Sequence, residues 1–190
     1  MSKIIISEFM TLDGVVEDPG GAEKFKYGGW SFQFWDEDIA KFKFDELFAG
    51  SSLLLGRITY EGFAKAWPTM KDTGEFGEMM NNLPKFVVST TLDRADWKNS
   101  TIIKNNIIKE ISKLKEKPGK DILVFGSANL AQTLMQHNLI DEYNLLVYPI
   151  VLGTGKKLFK EGIDKTVLKL VKTESFKSGV VLLKYQSIKK

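Results

Sequence analysis

A chain of 190 residues, 43% of them hydrophobic, can bury a sizeable core in one folding unit. Its 27 Lys and Arg against 24 Asp and Glu leave a net charge of only +3, with both signs alternating throughout, which argues against a nucleic-acid-binding face. With no cysteine and one histidine, His137, the chain excludes disulfides, thiolate chemistry and a histidine- or cysteine-built metal centre, so no metal is expected.

No apolar run approaches the ~20 residues that span a bilayer, and no membrane partner is expected. The opening MSKIIISEFM is apolar for only a few residues before Ser7 and Glu8 interrupt it. That is too short for a secretory signal, so the expected location is the cytoplasm.

Short apolar runs alternate with amphipathic stretches, the pattern of an α/β fold. Lys3–Phe9 reads as a strand. A glycine-rich, aromatic loop follows, with Gly14, Gly20, Gly21, Gly28 and Gly29 beside Tyr27 and Trp30. Asp36–Ala49 reads as a helix carrying Ile39, Phe42 and Leu47 among its apolar positions. Ser52–Leu55 is a buried strand ending at Gly56; Ile58–Ala66 and Gly74–Asn82 read as short helices. Lys85–Ser89 and Thr101–Lys104 are further strands. Asn106–Lys117 is an amphipathic helix closed by Pro118-Gly119, its lysines forming a solvated face. Asp121–Phe125 is an apolar strand, Ser127–Gln136 a helix directly after it, and Ile140–Tyr148 a strand before Pro149. Leu168–Phe176 and Val180–Ser187 alternate apolar and polar residues around Lys177-Ser178-Gly179, the signature of a terminal antiparallel hairpin. The expected sheet is mixed: mainly parallel strands flanked by helices, with an antiparallel C-terminal edge. Residues 1–190 show no repeat and no linker that would divide them.

Three junctions carry residues suited to phosphate, because helix N-termini expose unpaired N–H groups and partial positive charge. The first is Gly56-Arg57-Ile58-Thr59. Gly56 permits a sharp turn, Arg57 offers a fork of donors, and Thr59 offers a hydroxyl. Equally, Arg57 pairs with a surface carboxylate and Thr59 caps the helix. The second is Gly126-Ser127-Ala128-Asn129, where Gly126 allows close backbone approach and Ser127 caps the helix or contacts phosphate. It lacks the G-x-G-x-x-G fingerprint of the standard dinucleotide fold. The third is Ser89-Thr90-Thr91 at a strand end, which serves either a ligand or its own turn.

Taken in order, these segments resemble the dihydrofolate-reductase-like family, particularly the C-terminal reductase domain of riboflavin biosynthesis and its stand-alone bacterial relatives. The matching pieces are Thr11-Leu12-Asp13-Gly14, Leu55 to Glu61, Leu83 to Ser89, Phe125 to Leu130 with Leu139 to Tyr143, and Pro149 to Gly155 with Leu158-Phe159. The resemblance implies an NADPH-dependent reductase acting on a pyrimidine- or pterin-like heterocycle, most like the 5-amino-6-(5-phosphoribosylamino)uracil reductase. It places Arg57 and Thr59, after Gly56, near the 2′-phosphate, with Ser89 and Thr90 nearby. Gly126, Ser127, Ala128 and Asn129 fall at the pyrophosphate, Asp13 and Gly14 at the nicotinamide, and Gly153 and Thr154 on the substrate side. Asp38 falls near the acid that dihydrofolate reductases carry on the first helix; alternatively it is a first-turn carboxylate favoured by the helix dipole. Trp30, with Phe9, Met10, Phe34 and Trp35, offers a surface on which a flat substrate stacks, or else packs the core.

The zinc deaminase domain that accompanies the riboflavin reductase has no counterpart in these residues, so a stand-alone domain is expected. Three other readings stay open: dihydrofolate-reductase-like activity, a catalytically silent NADPH-binding protein, and an interaction protein whose motifs are purely structural. The apolar hairpin points to a homodimer. His137 sits at a helix end beside Asn138 and is given no catalytic role.

Overall fold

A computed structural model describes residues 1–188. Among these residues eight strands form one sheet: β1 (Ile4–Thr11), β2 (Gly50–Gly56), β3 (Lys85–Val88), β4 (Ser100–Ile103), β5 (Asp121–Phe125), β6 (Glu142–Tyr148), β7 (Leu168–Ser175) and β8 (Val181–Ser187). Five helices connect them: α1 (Glu37–Ala49), α2 (Arg57–Ala66), α3 (Gly74–Asn82), α4 (Ile107–Glu116) and α5 (Ala128–Gln136). The strand order is β4-β3-β2-β5-β1-β6-β8-β7. The strands from β4 through β6 are parallel; β8 runs antiparallel to β6, and β7 antiparallel to β8. This is the mixed sheet with a C-terminal hairpin that the apolar patterning predicts.

The parallel strands are apolar at consecutive positions because both faces are covered. On one face Ile4, Ile6, Leu54 and Val124 pack against Ile111 of α4 and Leu130 and Leu134 of α5. On the other, Ile5, Leu53, Leu55 and Leu123 pack against Leu47 of α1, Tyr60 of α2 and Met80 of α3. A third cluster extends that second face toward the hairpin, joining Trp30, Ile39, Leu146, Tyr148, Val180 and Leu182.

Most boundaries shift by one or two residues from the sequence reading, and three local departures have a tertiary or conformational reason. β1 runs on to Thr11 because Glu8 to Thr11 find partners in Leu145 to Tyr148 of β6. α5 starts one residue late because Ser127 adopts a left-handed conformation, φ 65°. The aromatic stretch before α1 folds into a single 3₁₀ turn, Phe32–Phe34.

Candidate functional site at the carboxyl edge of the sheet

Each candidate segment follows a parallel strand, so parallel pairing alone brings them to one edge. Asp13 and Gly14 follow β1, Gly56 ends β2, Ser89 follows β3, Gly126 follows β5, and Gly153 lies beyond β6. β2 and β5 are neighbours, paired through Leu54 and Val124. Yet β2 feeds α2 on one face and β5 feeds α5 on the other. Such a reversal opens a crevice beyond the strand ends, the usual ligand site of an open α/β sheet.

The two glycine junctions meet in that crevice. The Ser127 hydroxyl accepts from the Gly56 N–H at 2.8 Å and donates to Thr59 Oγ1 at 2.8 Å. A Cβ on Gly56 would lie 2.7 Å from Ser127 Oγ, and one on Gly126 would lie 2.9 Å from Thr59 Oγ1. Gly126 also holds φ 60°, which side chains resist. Only glycine fits either position. Because Ser127 is spent on β2 and Thr59, no side chain caps α5, and the N–H groups of Ala128 and Asn129 at its start stay open, the first intrahelical bond running from Ala131 N–H to the Ser127 carbonyl at 2.9 Å. Thr59 likewise makes no cap for α2.

Arg57 opens α2, exposed, with Nη1 3.0 Å from Glu61 Oε2 one turn on. The Ser89 hydroxyl accepts from Leu92 N–H at 2.9 Å and from Thr91 N–H at 3.2 Å, closing its own turn, while Thr90 is exposed.

The loops after β1 and β6 fasten to each other. The Asp13 carboxylate accepts from the Thr11 hydroxyl at 2.6 Å, Gly153 N–H at 2.8 Å and Leu152 N–H at 3.2 Å. Burial raises its pKa, but these hydrogen bonds outweigh that and hold it below the ordinary carboxylate value. Gly14 continues the clasp by accepting from Leu158 N–H at 3.0 Å. Gly153 and Thr154 stand exposed at its outer side.

Beside this clasp lies the aromatic wall. Tyr148, fully buried, meets Trp30, Phe9 and Phe34 at ring-centroid distances of 5.2, 5.3 and 5.8 Å. Trp30 donates from Nε1 to the Glu17 carbonyl at 2.8 Å and is itself buried. Trp35 is 48% exposed and reaches Phe9 at 6.1 Å. Met10, grouped with these rings by sequence, packs against the α4/α5 cluster on the other face, since successive strand residues point opposite ways. Asp38 lies in the first turn of α1 with its side chain 47% exposed and Lys177 4.0 Å away. The cap of α1 is Asp36, which accepts from Ile39 N–H at 2.8 Å and Ser178 N–H at 3.0 Å.

Sequence reasoning missed two buried carboxyls, Glu8 on β1 and Glu46 on α1. Glu8 is 3% exposed, and its Oε1 has no hydrogen-bond partner. On the opposite face, Glu46 is also buried but fully served: Lys43 lies 2.5 Å away, and Ser7 and Asn144 each donate at 2.7 Å. The available signal was the pair Ser7-Glu8 interrupting an apolar strand. Two recesses of 320 and 340 Å³ lie at the far end of the sheet, around Lys3 and Glu142, away from every candidate residue.

Fold and edge geometry define a dihydrofolate-reductase-like α/β protein, and the chain belongs to the RibD C-terminal domain family, whose profile matches residues 2–182. The family is oxidoreductase-like. Among curated proteins it is similar to the uncharacterised YyaP of Bacillus subtilis (strain 168), 33% identical over 186 residues, covering 96% of this chain and 94% of that one. Among solved structures, a putative riboflavin biosynthesis protein from Shewanella sp. PV-4 superposes with a TM-score of 0.77 at 21% identity, covering 98% of this chain and 99% of that one. Dihydrofolate reductase from Enterococcus faecalis, complexed with NADP(H), superposes with a TM-score of 0.63 at 16% identity, covering 97% and 96%. Among the described residues no helix is long and apolar enough to cross a membrane.

Proposed function

We propose that residues 1–190 form one cytoplasmic reductase unit that uses NADPH to reduce a flat pyrimidine- or pterin-like heterocycle. The observation that carries this reading is the meeting of Gly56 and Gly126 beside an uncapped helix α5. That cradle suits a pyrophosphate: bare backbone allows close approach, and the open N–H groups of Ala128 and Asn129 supply donors. Arg57 and Thr59, with Ser89 and Thr90 nearby, would read the 2′-phosphate, Arg57 leaving its exposed partner Glu61. Asp13 orders the loop that Gly14, Gly153 and Thr154 share, so the nicotinamide and substrate sides move as one clasp. When bound, the dinucleotide supplies the hydride. Phe9 and the exposed Trp35 offer the acceptor a flat face, while Trp30, which the stacking expectation also named, is buried in the core behind them and supports that wall.

One observation favours the second reading, a silent NADPH-binding protein: Asp38 stands half exposed rather than enclosed among the aromatics. Reduction of any of a panel of pteridines and aminopyrimidine ribosides would eliminate that reading.

The deciding experiment is a titration with NADPH and, in parallel, NADH, read by tryptophan quenching and calorimetry. Micromolar NADPH binding, much weaker NADH binding, and a loss of about 1–3 kcal/mol of NADPH affinity in Arg57→Ala are expected. Absence of binding to either nucleotide rejects the reading.

A further inference from the structure

A buried carboxyl oxygen with no hydrogen-bond partner is expensive, and in a native fold such an atom calls for an explanation. Glu8 is such a group: it is 3% exposed, Oε1 has no partner, and its neighbours on the same strand face, Ile6 and Met10, are apolar. Its position explains it. Ile6 lies opposite Val124 and Ser7 opposite Phe125, the last residue of β5. Glu8 is therefore level with the next residue, Gly126. Counting likewise from Leu54 opposite Val124 puts Gly56 in the same row. The row just beyond β5 reads Gly56, Gly126, Glu8, and on the β6 side Leu145. Strand alternation points Glu8 to the α5 face, since Ile6, Val124 and Leu145 share the cluster that contains Ala128 and Leu130. The aromatic wall of Phe9 and Tyr148 lies on the opposite face.

We propose that Glu8 is a ligand-binding residue, a neutral carboxyl that donates a hydrogen bond to the pyrophosphate–ribose stretch of a dinucleotide held at the β2/β5 junction. The inference rests on the dinucleotide reading above. An ionised carboxylate in that row would repel a pyrophosphate; a protonated one completes its donor set. The surroundings keep it neutral. Burial pushes Glu8 up to about 8, Lys43 across the sheet opposing and Glu46 reinforcing. Helix α5 carries no ionisable side chain, and the Tyr143 phenol, beside Ile6 on β6, is pushed up to about 12 by burial.

The test is titration of NADPH into wild type, Glu8→Gln and Glu8→Leu at about pH 7 and about pH 9. Wild type should bind on the order of tenfold more weakly at the higher pH, as the neutral form is lost. Glu8→Gln, permanently neutral and still a donor, should show no such drop. Glu8→Leu should bind roughly tenfold more weakly at neutral pH, having lost the donor. A thermal scan checks that the leucine variant is folded; if it is not, the comparison of wild type with Glu8→Gln decides alone. Equal binding by wild type and both variants at both pH values overturns the role of Glu8. No binding by wild type at either pH is a different result, and it rejects the dinucleotide reading itself.

Discussion

Two glutamates on opposite faces of the same strands show how partners set the charge of a buried acid. Glu46 has Lys43 at 2.5 Å and hydrogen bonds from Ser7 and Asn144, so its charge is balanced where it sits. Glu8 has none of these, and burial lifts it from an ordinary 4.5 to about 8. The folded chain therefore holds this proton more tightly than the unfolded one. Its contribution to stability is complete below about pH 4.5 and is lost as the pH rises through about 8. Thermal unfolding of wild type and Glu8→Gln, compared between pH 4.5 and 8, should show wild type losing midpoint temperature relative to the variant as pH rises. Parallel profiles would contradict the assignment. Nothing local in the heptapeptide around Glu8 announces this behaviour. The strand is recognisable, but which neighbours reach the carboxyl depends on β5 ending one residue short of it.

At the scale of elements, α1 is the instructive case. Its apolar positions Ile39 and Leu47 are buried as the helical period predicts, but so are Lys43 and Glu46 between them. Periodicity assigns charged residues to solvent. Here they turn inward because β1 supplies Ser7 and β6 supplies Asn144, and because the Phe125 ring lies 4.0 Å from Lys43 Nζ. Replacing Lys43 by methionine keeps the volume but strands the Glu46 carboxylate. Urea unfolding should report a loss of about 3–5 kcal/mol, the penalty for breaking a buried pair on one side. The double variant with Glu46→Gln should recover part of it. A Lys43→Met protein as stable as wild type would mean that the network contributes little.

For the whole molecule, the open question is what covers the β7 edge. In sequence the hairpin alternates apolar with polar residues, more apolar edge than a monomer usually leaves open. In the fold, Val180 and Leu182 are buried, while Leu168, Leu183 and Tyr185 pack against the core. What stays outside is Leu170 and Val171 on the edge strand β7, at 49% and 48% exposure, with Val167 at 60% just before it. We propose that a second copy covers it, making the protein a homodimer. Light scattering at micromolar concentration should give twice the chain mass, and Leu170→Lys with Val171→Glu should give one. A monomeric wild type under those conditions refutes the proposal.

The sequence by itself determined the α/β class, the order of elements and the two glycine junctions, because these rest on local grammar: period, caps and the steric freedom of glycine. That the candidate segments share an edge came from the parallel pairing of the strands they follow. Tertiary structure alone decided the rest. The union of Gly56, Thr59 and Ser127, the clasp between Asp13 and Gly153, and the solitary burial of Glu8 each join residues far apart in the chain. Register and sheet face choose such partners, and both are set by packing across the molecule, which no stretch of sequence contains.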